Sequence, residues 1–165
     1  MSGDIDARVA RLADIEAIIR LKHEYWNHND SGFRADEIAA LFTADGIWSN
    51  AECGQYEGRE AIRAFFKNAP AIVPFCAHVG MNPIIDLDRD QATGRWRALL
   101  LSSFNEPSGA VAKLILIDYL DEFRRIDGVW RIRKLDILFN FVVTFGDSWV
   151  GLEKSRPFDN LRASS

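Results

Sequence analysis

Apolar residues recur at helical spacing in the first third of this chain and at strand spacing through its second half. Val9, Leu12, Ile15, Ile19 and Trp26 fall three, four and seven apart, with Arg11, Glu16, Arg20 and Glu24 between them, which predicts a helix over residues 5–28. The stretch Asn27-His28-Asn29-Asp30-Ser31-Gly32 is rich in turn formers and reads as its stop. A short helix over about 35–42 follows, with Ile38, Leu41 and Phe42 apolar, and Asp45-Gly46 turns the chain into a strand at Ile47-Trp48-Ser49. Gly54 and Gly58 bracket Gln55-Tyr56-Glu57, after which Ile62, Phe65 and Phe66 share one face of a third helix over 59–68.

From Ala77 the period shortens. Four long strands are predicted, over about 77–87, 91–104, 110–126 and 129–141. Their links, Asp88-Arg89-Asp90, Asn105-Glu106-Pro107-Ser108-Gly109 and Asp127-Gly128, are hairpin chemistry, and Asp127-Gly128 between two β-rich runs is the strongest local signal in the chain. Helices that precede an antiparallel meander argue an α+β fold, a cone-shaped α+β barrel with N-terminal helices packed on a curved, mainly antiparallel sheet. No repeat or internal boundary interrupts residues 1–145, which read as one domain, while residues 146–165, with Pro157 and a polar end, read as a C-terminal tail.

Composition narrows the partners. Of 165 residues 48% are apolar, too many for a disordered chain, and eleven Phe with five Trp can fill a core or line an apolar pocket. Lys and Arg number 20 against 24 Asp and Glu, with no basic cluster, so no nucleic acid is expected as a partner. No apolar run approaches the ~20 residues that span a bilayer, so no membrane association is expected. The start, Met1-Ser2-Gly3-Asp4-Ile5-Asp6, lacks the basic-then-apolar order of a signal peptide. Cys53 and Cys76 fit neither a disulfide framework nor a zinc site and are expected as buried free thiols in a reducing cytoplasm.

The ordered passages Ile18 to Tyr25 running to Asp30, Leu41-Phe42-Thr43-Ala44-Asp45-Gly46, Tyr56-Glu57-Gly58-Arg59-Glu60-Ala61-Ile62, His78-Val79-Gly80-Met81-Asn82 and the hairpin Phe123 to Trp130 resemble the nuclear-transport-factor-2-like superfamily. Within it they are similar to the SnoaL-like polyketide cyclase and dehydratase group, over residues 10 to 145. That resemblance implies a cofactor-free lyase built on an Asp–His pair inside the cone, with Asp30 and His78 as the pair and Tyr25 beside them. Halide-eliminating members carry a lysine at the position of Tyr25 and an arginine where this chain has Leu135, which counts against halide elimination. The second polar group that dehydratases carry in the middle strand has no match in Leu99-Leu100-Leu101.

The chemistry of these residue types agrees. Eliminating water beside an acidified C–H needs a base for the proton and an acid for the leaving oxygen, and histidine serves both near neutral pH. A carboxylate behind the ring fixes its tautomer and stabilises the imidazolium. Each residue also has a plainer reading: His78 as a strand histidine, Asp30 as a turn aspartate bonding its own backbone, Tyr25 as a packed ring. Trp48, Tyr119 and Phe139 are expected as pocket walls or as core aromatics, and Ser102, Ser103 and Asn140 as weaker polar contacts. His23 and His28 are expected at the surface or rim, since with Asp30 they match no metal-binding spacing.

The expectation is therefore a cofactor-independent lyase of dehydratase type acting on a hydrophobic, oxygenated small molecule, with no cofactor and no metal. An isomerase or cyclase using the same proton transfers is the alternative, and a non-catalytic binding or association module the third reading. The runs Val111 to Ile117 and Leu135 to Val143 hold more hydrophobes than one inward face uses, so a homo-oligomer is expected, a trimer ahead of a dimer by analogy.

Overall fold

The structure is a computed structural model that describes residues 2–145; the predicted tail lies outside them. The elements run α1 (Ser2–Asp30), α2 (Ala35–Ala40), β1 (Phe42–Asn50), β2 (Gly54–Glu57), α3 (Arg59–Ile72), β3 (Phe75–Asp88), β4 (Gln91–Glu106), β5 (Gly109–Ile126) and β6 (Val129–Thr144). The strands form one sheet in the order β2-β1-β6-β5-β4-β3. All neighbours are antiparallel except β1 with β6. The fold is the expected α+β arrangement, with the sheet curled but unclosed, so β2 and β3 remain edges.

Alternation along the long strands decides which side faces the helices. On β5, Ile115, Ile117, Tyr119, Asp121 and Phe123 are buried while Leu120, Glu122 and Arg124 are exposed. Trp130, Ile132, Leu135 and Ile137 of β6 and Trp96 and Ala98 of β4 continue that inner face. Against it α1 places Ile18, Leu21, Lys22, Tyr25 and Trp26. Each large apolar side chain so buried contributes about 1.5–3 kcal/mol before entropy is set against it.

Several elements depart from their predicted bounds for physical reasons. Helix α1 does not stop at Asn27. Asn29 donates from Nδ2 to the Tyr25 carbonyl at 2.6 Å, and the helix closes only where Phe33 N bonds Asn29 O, with Gly32 and Phe33 at positive φ. The turn formers therefore act one turn later than their composition suggests. The apolar stripe at its start packs on nothing among the described residues: Ile5, Val9 and Leu12 are 58%, 59% and 65% exposed. Strand β1 is longer than the three residues predicted because it lies parallel to β6, pairing Trp48 with Leu135 and Asn50 with Ile137, a contact with no local turn signature. Helix α3 runs through Pro70 to Ile72 and closes with Val73 N on Ala69 O at 2.8 Å.

Candidate active site

Asp30 is the last residue of α1, and His78 sits on edge strand β3 opposite it. Because β3 has a neighbour on one side only, the backbone N–H of His78 points away from the sheet, and it donates to Asp30 Oδ2 at 2.9 Å. The ring Nδ1 meets Oδ1 of the same carboxylate at 2.6 Å, and the Cys76 thiol donates to Oδ1 at 3.5 Å. The imidazole is nearly enclosed, its side chain 7% exposed, and the carboxylate is 28% exposed. Burial pushes the Asp30 carboxyl up, but the hydrogen bond and charge of His78, its backbone N–H and Cys76 outweigh it and hold the group below the usual value. An ionised Asp30 takes its hydrogen bond from Nδ1, which leaves Nε2 as the nitrogen that faces away from the carboxylate.

The ring of Trp26 lies nearly parallel to that of His78, 6.2 Å between centroids and 19° between planes. Gly80 makes this possible, since a Cβ there would stand 2.1 Å from Trp26. Residue Asp30 thus lies behind His78 in an outward groove with His23, Trp26 and Asn27, while the imidazole also borders an interior cavity.

That cavity measures about 140 Å³ and has apolar walls from Phe66, Leu100, Ile115, Ile117 and Ile137. Its polar end is Tyr25, Asn29, Cys76 and His78. Tyr25 and Asp30 are five positions apart, about 140° around a helix, so one side chain faces the cone and the other faces β3. The indole Nε1 of Trp48 donates to the Tyr25 hydroxyl oxygen at 2.9 Å. Burial drives the Tyr25 phenol far above its usual value, with Trp48 and Asn29 offsetting part of the effect, so the group stays a proton donor at neutral pH.

The other predicted site residues divide. Trp48, Tyr119 and Phe139 line the cavity. Ser102 does not line it; it is fully buried on β4 beside Cys76, its Oγ without a partner. Asn140 lies on the outer face next to Asp118, at the point where the β5–β6 register skips a residue. His23 is exposed and stacks on Trp26, and His28 is half-buried. The two cysteines differ: Cys76 is buried as expected, but Cys53 is exposed at the cavity mouth, because the turn after β1 carries it out of the core. Of metal-type donors, Asp30, Cys76 and His78 bring three ligand atoms within 4.8 Å of one another. The thiol and the ring nitrogen are both already bonded to the Asp30 carboxylate.

One pair had no place in the sequence reading. Lys22 and Asp121 are both buried and joined at 2.7 Å between Nζ and Oδ2. The ammonium lies 3.6 Å from the centroid of the Tyr119 ring, with Tyr25, Trp26 and Trp96 at 5.2, 5.3 and 5.3 Å. Burial lowers Lys22 to about 8 against the pull of Asp121, and burial raises Asp121 to about 6 against Lys22. The signal was present: Lys22 follows Ile18 by four and precedes Tyr25 by three on the inward stripe of α1, and Asp121 alternates with Tyr119 and Phe123 on β5.

The SnoaL-like domain family matches residues 10–136, most of the chain. The protein belongs to that family. Among its relatives, this SnoaL-like protein is 28% identical over 108 residues to gamma-hexachlorocyclohexane dehydrochlorinase of Sphingobium indicum, covering 63% of this chain and 67% of that one. Its fold is that of a type 2 hexachlorocyclohexane dehydrochlorinase, with a TM-score of 0.78 and 24% identity over 91% of this chain and 98% of the other. A protein of Novosphingobium aromaticivorans assigned as a scytalone dehydratase superposes with a TM-score of 0.73 and 21% identity, over 87% and 97% of the two chains. The SnoaL-like chain is thus related to enzymes named for eliminations, as its motifs implied.

Proposed function

We propose that this protein is a cofactor-independent lyase that eliminates water from an uncharged, hydrophobic, oxygenated small molecule. The observation that carries the reading is the two-point contact of Asp30 on His78, at ring and backbone, at the polar end of an otherwise apolar cavity. Nε2 of His78 takes a proton from a carbon made acidic by a neighbouring carbonyl. The double bond forms as the adjacent C–O bond breaks, and the imidazolium returns the proton to the departing oxygen, which leaves as water. Asp30 stabilises the imidazolium while it exists. The Tyr25 hydroxyl, its oxygen already accepting from Trp48, donates to the oxygen on which charge develops.

An oxygen leaving group fits better than a halide. Among the described residues no Lys or Arg lines the cavity, and Leu135, at the position of the halide-eliminating members' arginine, is fully buried in the core. The test incubates the protein with β-hydroxy ketones and, separately, with gamma-hexachlorocyclohexane, following alkene formation and chloride release. Alkene from the ketones, lost by about 10²–10⁴-fold in His78→Ala, is the expected result. Double-bond migration or ring closure without loss of water would move the reading to an isomerase or cyclase. Near-full activity in a folded His78→Ala would end it.

A homotrimer is proposed with it. Leu120, Leu138, Phe141 and Val143 leave an apolar outer face on β5 and β6, each at least 44% exposed. Light scattering at micromolar concentration gives a trimer mass if the face is covered by sister subunits and a monomer mass if it is not.

A further inference from the structure

The cavity at His78 is too small for most hydrophobic metabolites and it is not closed. At about 140 Å³ it matches the roughly 150 Å³ apolar void that holds one benzene. Its walls at Cys53, Phe65, Ala69, Val73 and Phe104 are shared with a second chamber of about 580 Å³ lying over α3. The outer chamber is therefore the neighbouring space for whatever part of a substrate larger than one six-membered ring the inner cavity cannot hold.

The chemistry of the outer chamber states what it takes. Helix α3 turns Ala61, Ala64 and Ile72 toward it, Ile72 being 57% exposed, where the outer side of such a helix would ordinarily be charged. Tyr56 of β2 stacks on Phe65 with centroids 4.3 Å apart and planes at 26°, forming an aromatic shelf between the chambers. Asn68 donates to the Ala64 carbonyl at 3.0 Å and the Tyr56 hydroxyl to the Cys53 carbonyl at 3.0 Å, which engages two of the chamber's polar side chains. Among the described residues no charged side chain lines the chamber.

We infer that the outer chamber is a subsite for the uncharged apolar arm of a two-part substrate whose ring-sized head reacts at His78. The arm is an aryl ring or a short alkyl chain, because the lining offers contact area without a partner for a carboxylate or phosphate. This rests on the reading of the inner cavity as the substrate site.

The probes are cyclohexanone, 4-butylcyclohexanone and 4-phenylcyclohexanone, titrated calorimetrically into the wild-type protein, Ala64→Trp and Ile72→Asp. Each buried methylene is worth about fourfold in Kd, so both substituted ketones bind the wild type at least about tenfold tighter than cyclohexanone. Ala64→Trp places a bulky ring in the chamber and Ile72→Asp charges it. Both positions are exposed, and thermal melts confirm folding. Each variant removes most of that advantage and leaves cyclohexanone within about twofold. Equal affinities for the three ketones in the wild type, or equal weakening of all three in the variants, overturn the subsite. Failure of every ketone to bind overturns the cavity reading along with it. A folded His78→Ala that turns over hydroxy ketones at the wild-type rate overturns the elimination reading while leaving the subsite standing.

Discussion

Two aspartates of this molecule each hold a base at hydrogen-bond distance, and their surroundings make them opposites. Asp30 meets His78 at 2.6 Å at the rim of the fold, with its second oxygen on a backbone N–H. Asp121 meets Lys22 at 2.7 Å in the centre, with its second oxygen unpartnered. At the rim, hydrogen bonds and partial solvation keep the carboxylate ionised and the base able to reach a ligand. In the core, desolvation pulls both partners toward neutrality and aromatic faces stand in for water around the ammonium. The first arrangement is suited to moving protons and costs the fold little. The second is costly to the fold and fully buried.

The largest expected effect comes from Asp30→Asn. The amide cannot hold Nδ1 as a donor to a carboxylate, so turnover of the hydroxy ketones falls by about 10²–10⁴-fold, close to the loss in His78→Ala, and the double variant loses little more. Its unfolding free energy, read from urea titration, drops by about 1 kcal/mol.

Lys22→Met inverts that balance. It strands the Asp121 carboxyl in the core, and the protein loses about 3–5 kcal/mol in the same titration. Removing both charges in Lys22→Met with Asp121→Leu returns the stability to the wild-type level or above, by about 1–4 kcal/mol. A double variant as unstable as the single one would show that the pair is a net stabiliser and break the contrast drawn here.

The smallest effect is in acid, where the two carboxylates carry opposite signs. Asp30 is held below its usual value in the fold, so its contribution is complete above pH ~4 and lost as pH falls further. Asp121 is raised to about 6, so its contribution is complete below its unfolded value of 3.8 and lost as pH rises through about 6. Urea midpoints across pH show the wild type losing its advantage over Asp30→Asn below pH ~4. Its advantage over Asp121→Asn grows as pH falls from about 6 to about 4.

What the sequence made legible follows the reach of each interaction. Hairpins closed by Asp127-Gly128 and its counterparts are local, and β3 to β6 appear with bounds off by a few residues. Asp30, His78 and Tyr25 were singled out through ordered motifs, and the helix carries Asp30 to its last residue instead of releasing it in a turn. The parallel pairing of β1 with β6 joins residues 87 positions apart at Asn50 and Ile137, and no local pattern encodes it. Asn140 was misplaced because a skipped residue in the ladder is invisible to strict alternation. Val9 and Leu12 show the converse, a helical apolar stripe with no described partner. Lys22 and Asp121 were passed over because a charge in apolar phase reads as an interruption until its partner is seen.

The bond from His78 N–H to Asp30 Oδ2 also bears on how this chain meets copies of itself. An edge strand with open N–H groups is a template on which another strand can add, the first step toward sheet-to-sheet association. β3 is such an edge, fourteen residues long. At its fourth residue one of its outward donors is occupied by a carboxylate delivered from the end of α1. The side chain that holds the imidazole therefore also occupies a donor that an added strand would use.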